Sequence, residues 1–250
     1  MSDTDEFGFP ISGGFPAIDA AGMAQVDLLM VQSYGITLPK MMENAGRALA
    51  LVAWRRYLPG DLAGRHVAVL AGSGGNGGGA IVAARRLAGW GARVSLILSA
   101  GADTLRGVPA DQLAILMAMG IAPCEVPTTP VDLILDGLIG YSLRGAPKGR
   151  AAELIGWANR QSAPILALDV PSGFDAVSGE THEPFIRADA TLTLALPKCG
   201  LQADGMAETV GALYLADISV PKALYQRLPR PLAVPSFADG DILRLAPAPS

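Results

Sequence analysis

Apolar residues along the chain fall into two kinds of run. From Ile18 to about Tyr57 their spacing is helical and predicts two helices, separated at SYGITLP, where Gly35 and Pro39 break the pattern. Beyond that point, short runs rich in Val, Ile and Leu alternate with longer helix-like stretches. HVAVLAG (66–72), RVSLILS (93–99), VDLILDGLIG (131–140), PILALDV (164–170), ATLTLAL (190–196) and GALYLAD (211–217) predict strands. Helices are expected over about 77–90, 108–119 and 148–161. Near-continuous apolar strands are those covered on both faces, so the sheet should be mainly parallel. The expected fold is therefore α/β: a three-layer, doubly wound, Rossmann-like sheet preceded by two helices. Residues 1–17 read as a flexible arm and 18–250 as one domain. The Pro/Ala-rich tail from about Pro229 reads as a surface wrap.

Composition narrows this picture. With 250 residues, half of them hydrophobic and only 17% charged, the chain can bury a large core and is poorly suited to disorder. Its apolar runs are interrupted well before the ~18 residues of a membrane span, and its start, MSDTDEFGFP, does not resemble a signal peptide. Cys124 and Cys199 lack metal-ligand spacing and suit a reduced, cytoplasmic setting. A net charge of −4 gives no support to a nucleic-acid partner, and no membrane partner is expected.

The candidate chemistry sits at strand ends. AVLAGSGGNGGGAIVAARRL (68–87) places six glycines between a strand and a helix. In an open parallel sheet, ligands bind beyond the carboxyl ends of the strands, and glycines there let a ligand approach the main chain. Gly72-Ser-Gly74-Gly-Asn-Gly77 satisfies GxGxxG, but the next strand ends in Ser99-Ala100-Gly101 without the acidic residue that holds a ribose in redox enzymes. There is no GKS or GKT, so a P-loop is excluded. Asp136 and Asp169 each end a later strand, and Pro171-Ser172-Gly173 turns the chain beyond the second. PSGFD is not a nucleophile elbow, and two histidines, His66 and His182, cannot assemble a zinc site or a serine triad here. Asn76, Asp136 and Ser172 offer an amide, a carboxylate and a hydroxyl, the hard oxygens suited to an alkali or alkaline-earth cation. Lys198 admits two readings, a solvated loop lysine or a cation facing a phosphate or a catalytic carboxylate.

Taken in order, LPKMMENAGRALA, AGSGGNGGGAIVAARRL, DLILDGLIGYSLRG, ALDVPSGFDAVSGE, ADATLTLALPKCGL and GALYLADISVPKAL resemble the NAD(P)H-hydrate epimerase family, also called the YjeF N-terminal domain, from about Ile18 to Leu228. The resemblance implies an isomerase that interconverts the R and S forms of hydrated NADH and NADPH at carbon 6 of the nicotinamide ring. It implies potassium at Asn76, Asp136 and Ser172. It implies dinucleotide contacts from Gly75, Asn76, Gly77, Gly78 and Gly79, from Gly140, Tyr141, Ser142, Leu143, Arg144, Gly145 and Ala146, and from Asp169. Asp169 is the expected acid/base residue, with Lys198 assisting. A homodimer is expected, as is a separate S-specific dehydratase acting on the same substrate pool. The chain departs from the family at the loop, where Asn-Asn-Gly-Gly-Asp is replaced by Gly75-Asn-Gly-Gly-Gly79. The alternative this admits is a weakened enzyme, a shifted nucleotide substrate, or a binding scaffold of the same fold.

Overall fold

The computed structural model describes residues 3–203 and 205–246. After a two-residue strand β1 (Ile11–Ser12) come helices α1 (Ala20–Tyr34) and α2 (Leu38–Val52), the latter running into a π-turn over Ala53–Tyr57. β2 (His66–Ala71), α3 (Gly75–Gly89), β3 (Arg93–Leu98), α4 (Val108–Ala118), β4 (Leu133–Gly137), α5 (Gly149–Ala158), β5 (Ile165–Leu168) and β6 (Ala190–Leu194) follow. α6 (Ala207–Val210), β7 (Ala212–Ala216), α7 (Lys222–Tyr225) and β8 (Ile242–Leu245) complete the chain. All six predicted strands and all five predicted helices are present.

The strands form one sheet in the order β1-β8-β7-β6-β5-β4-β2-β3. From β3 to β7 every pairing is parallel. β2, β4, β5 and β6 are buried along their whole length, which is why apolar residues dominate them on both faces. Alternate residues still go to different layers. Val67, Val69 and Ala71 pack with α1–α4, whereas Ala68 and Leu70 pack with Leu154, Ile155 and Ala158 of α5. The α2–α3 contact is close because Gly46 offers no Cβ; one built there would strike the Val82 side chain and the Gly79 carbonyl.

Two expectations fail at the chain's ends. Residues 3–17 are packed, not a loose arm. Phe9 is 1% exposed and stacks edge-on against Tyr214, Asp5 accepts from the Tyr214 hydroxyl, and β1 pairs with β8. The tail beyond Pro229 does not merely wrap the surface, since β8 enters the sheet between β1 and β7, antiparallel to β7. Apolar anchors in short, Gly- and Pro-rich segments carry too little periodicity to be seen as strands. The last four residues lie outside the described chain.

The strand order fixes where a ligand crevice opens. From β2 the chain moves outward to β3, then returns past β2 to β4 and onward. The carboxyl ends of β2 and β4 therefore flank the point where the winding reverses, and the crevice between them is the expected ligand position.

Candidate active site

The glycine-rich segment does not hang free above the sheet. Its residues 75–79 form the first turns of α3, which starts two residues earlier than expected. Gly74 sits at the cap position without a capping side chain, so the first N–H groups of the helix have no intrahelical partners. Such a terminus carries partial positive charge and suits a phosphate. Gly77 is required here by space, since a Cβ would land on the Gly72 carbonyl.

Asn76 ties this turn to the end of β5 by donating from Nδ2 to the Leu168 carbonyl at 2.8 Å. Gly140 stands against the same carboxamide, where a Cβ would lie 3.2 Å from Oδ1. Between them, at the end of β4, Asp136 is fully buried. Its Oδ1 accepts from the Ser172 hydroxyl at 2.7 Å and from the Leu138 N–H at 3.2 Å, and its Oδ2 accepts from the Ser172 N–H at 2.8 Å. Burial pushes the Asp136 carboxyl up to about 6, although the bonds from Ser172 and Leu138 pull the other way.

Asp136 and Ser172 thus bond each other, and Asn76 is tied to the end of the neighbouring strand β5. No group of three His, Cys, Asp or Glu able to hold a metal occurs among the described residues. One buried carboxylate with no cationic side chain bonded to it, beside neutral amide and hydroxyl oxygens, is the donor chemistry of a singly charged alkali cation. The residues present fit potassium.

Asp169 follows β5 and takes a left-handed backbone, φ 69°. A non-glycine residue there is strained, and such strain gathers at functional positions. Its N–H donates to the Leu192 carbonyl at 2.7 Å, which holds the conformation. Its Oδ1 is ion-paired with Lys198, and both side chains are almost wholly enclosed, at 4% and 1% exposure. Lys198 is therefore not a solvated loop lysine. Its ammonium also donates to the Leu194 carbonyl at 2.9 Å and reaches Thr193 Oγ1 at 3.4 Å. The turn at Ala195, φ 63°, sends the chain past the end of β6 so that Lys198 can reach back.

The loop after β4 closes the other wall. The Tyr141 N–H donates to Asp169 Oδ2 at 3.3 Å, and its ring lies 5.9 Å from the Lys198 ammonium. Ser142, Arg144, Gly145 and Ala146 are exposed, Leu143 is half-buried, and Arg144 makes no ion pair among the described residues. His66 lies at the opposite edge of the sheet, beside Ser95 Oγ and the Pro130 carbonyl.

One site residue was missed. Asp27 of α1 accepts from the Tyr141 hydroxyl at 2.7 Å. The signal was available, because Asp27 falls on the helical stripe of Met23, Val26 and Met30, all buried. A carboxylate on an apolar stripe asks for a partner.

The position of the absent loop carboxylate is also informative. A Cβ at Gly79 would meet Leu168 Cδ2 at 2.9 Å and Met42 Sδ at 3.6 Å, so apolar side chains border that space. A cavity of about 670 Å3, lined by Phe15, Leu201, Val210, Gly211 and Arg244, lies at the start of β7 and includes none of the site residues.

With this geometry in place, comparison with known proteins is specific. The chain is 46% identical over 208 residues to the NAD(P)H-hydrate epimerase of Dehalogenimonas lykanthroporepellens, covering 82% of each chain. It is 33% identical to that of Rhodopirellula baltica, over 85% of this chain and 88% of that one. Against the bifunctional NAD(P)H-hydrate repair enzyme Nnr of Moorella thermoacetica it is 34% identical, covering 83% of this chain but 41% of the longer protein. The yeast protein ynu0 shares the fold at 22% identity with a TM-score of 0.76, over 92% of this chain and all of that one. Residues 39–200 match the family model for the YjeF-related protein N-terminus, and the chain belongs to that family.

Proposed function

We propose that this protein interconverts the R and S forms of hydrated NADH and NADPH, an isomerase reaction of cofactor repair. The observation that carries the reading is the enclosed Asp169–Lys198 pair, held at a strained position beside a helix terminus able to take the dinucleotide's phosphates. Relatives named for this activity at 33–46% identity support it.

Carbon 6 of the hydrate carries a hydroxyl beside the ring nitrogen. The nitrogen lone pair can expel that hydroxyl as water once it takes up a proton, leaving a planar C=N⁺ centre. Water then returns to the opposite face and gives up a proton, so atoms and charge balance and only configuration changes. Asp169 is the group we assign to that proton traffic, through Oδ2, since Oδ1 is taken by Lys198. Lys198 holds the carboxylate in place. The free N–H groups at Gly75, Asn76 and Gly77 receive phosphate, and Gly78, Gly79 and the 140–146 loop border the dinucleotide. Asn76, Asp136 and Ser172 would hold potassium, which when bound supplies a positive charge that offsets Asp136 and favours nearby phosphate oxygens.

The S-specific dehydratase that consumes the product is assigned to a separate protein, and the reaction to the cytosol. No helix in the described chain is long and apolar enough to cross a membrane. We assign a homodimer contact to the α1 surface, where Leu28, Val31 and Tyr34 are exposed. Light scattering should give twice the 25.7 kDa chain mass, and a monomer at working concentration would overturn that assignment.

The decisive assay couples the R hydrate of NADH to an S-specific dehydratase and follows the restored cofactor by absorbance. This protein should accelerate recovery, and Asp169→Ala should lose about 10²-fold or more of that acceleration. Folded wild-type protein that binds dinucleotide without accelerating recovery would defeat the reading.

A further inference from the structure

Tyr141 touches three charged side chains of the site by three different parts of itself. Its hydroxyl donates to Asp27, its ring lies under the Lys198 ammonium, and its N–H donates to the free oxygen of Asp169. Burial holds the Tyr141 hydroxyl far above the usual range for a phenol, and Asp27 pushes the same way, so the hydroxyl remains a donor.

Asp27 is placed against its own preferences. It lies on the apolar stripe of α1, and burial raises its carboxyl above the usual range. The Tyr141 bond and the charge of Lys198 draw it back, while Asp169 pushes it up further. A half-buried carboxylate so close to the ion pair is costly unless the bond it accepts does something for the fold or the site.

We infer that Asp27 is a positioning residue for the reaction, acting through the Tyr141 hydroxyl to fix the start of the 140–146 loop and so present Oδ2 of Asp169. The inference rests on the epimerase reading. Oδ1 is committed to Lys198, which leaves Oδ2 as the oxygen open to exchange a proton with substrate. The group that sits on Oδ2 is the Tyr141 N–H. Where that N–H lies depends on the loop, and the side-chain anchor of the loop's first turn is the bond to α1.

The test compares Tyr141→Phe, Asp27→Ala and Asp27→Asn. Tyr141→Phe keeps the ring and removes only the donor, so a failure to fold is not expected. Losing one such bond is worth about tenfold. Tyr141→Phe and Asp27→Ala should each lower kcat by about tenfold with KM for the hydrate changed by less than about twofold. The two together should cost no more than either alone, because they break the same bond. Asp27→Asn retains an amide oxygen for the hydroxyl and should restore kcat to within about threefold of wild type. An Asn variant as impaired as Ala would mean that the carboxylate itself handles protons and would overturn the positioning role. An unchanged kcat in Tyr141→Phe would overturn it as well. Trypsin cleavage after the exposed Arg144 gives a readout independent of turnover. Cutting should be several-fold faster in Tyr141→Phe and Asp27→Ala than in wild type. If wild-type protein turns over no hydrate, the epimerase reading fails, while unchanged cutting rates would separately remove the anchor.

Discussion

Asp136 is the residue whose surroundings are most at odds with its charge. It is fully buried, its partners are neutral, and its carboxyl is raised to about 6. The sign of the consequence follows from linkage. Between the unfolded value near 4 and the folded value near 6 the native state binds more protons, so native stability falls as pH rises through that window. The whole drop is on the order of 3 kcal/mol. In potassium-free buffer, thermal melts should therefore show a loss of Tm from about pH 4 to pH 6, on top of any other titration. Asp136→Asn should flatten that slope. Added potassium should restore Tm at pH 7.5 and do little at pH 4.5, since a cation compensates only the ionised form. A potassium effect equal at both pH values would show that Asp136 is not its ligand. At this scale the sequence was readable in part. Asp136 and Asp169 stood at strand ends, and their grouping with the glycine loop at one edge of the sheet suggested a site. Lys198 was ambiguous because enclosure depends on the turn at Ala195, which a single alanine does not advertise.

The α3 terminus shows what a helix start does with six glycines. It keeps its first N–H groups free of intrahelical partners and leaves the space beside Gly79 to Leu168 and Met42. Position 79, where the resemblance implied a carboxylate, is thus bordered by apolar side chains. Gly79→Asp should put a charge against Leu168 and cost about 2 kcal/mol, read as a Tm drop of about 4–8 °C for a chain of this size. Combining it with Leu168→Val should recover part of the loss by making room. A Gly79→Asp protein as stable as wild type would mean that the new side chain finds solvent or ligand instead. The helix boundaries themselves were legible to within two residues for α3, because periodicity marks the apolar face well. The helical state of Gly75 and Asn76 was not, because glycine disfavours helix and the turn is held by tertiary contacts such as Asn76 to the Leu168 carbonyl.

For the molecule as a whole, the parallel core was visible because β2, β4, β5 and β6 are covered on both sides. The edge was not visible. β1 has two residues and β8 four, and their pairing brings together segments more than 200 residues apart. No local pattern encodes such a contact. Asp27 differs: its place on the apolar stripe of α1 was readable, but its partner lies 114 residues further along the chain.

That edge bears on what may be cut from the chain. The stretch that matches the family, residues 39–200, contains β2 through β6 but neither β7, β8 nor β1, and it omits the helix that carries Asp27. A fragment trimmed to that likeness would expose the backbone of β6, whose residues Ala190–Leu194 are now fully covered. An unpaired strand of that kind invites other chains to add to it, and precipitation would be its natural fate. The recognisable portion of this protein is smaller than the portion that can stand in water by itself.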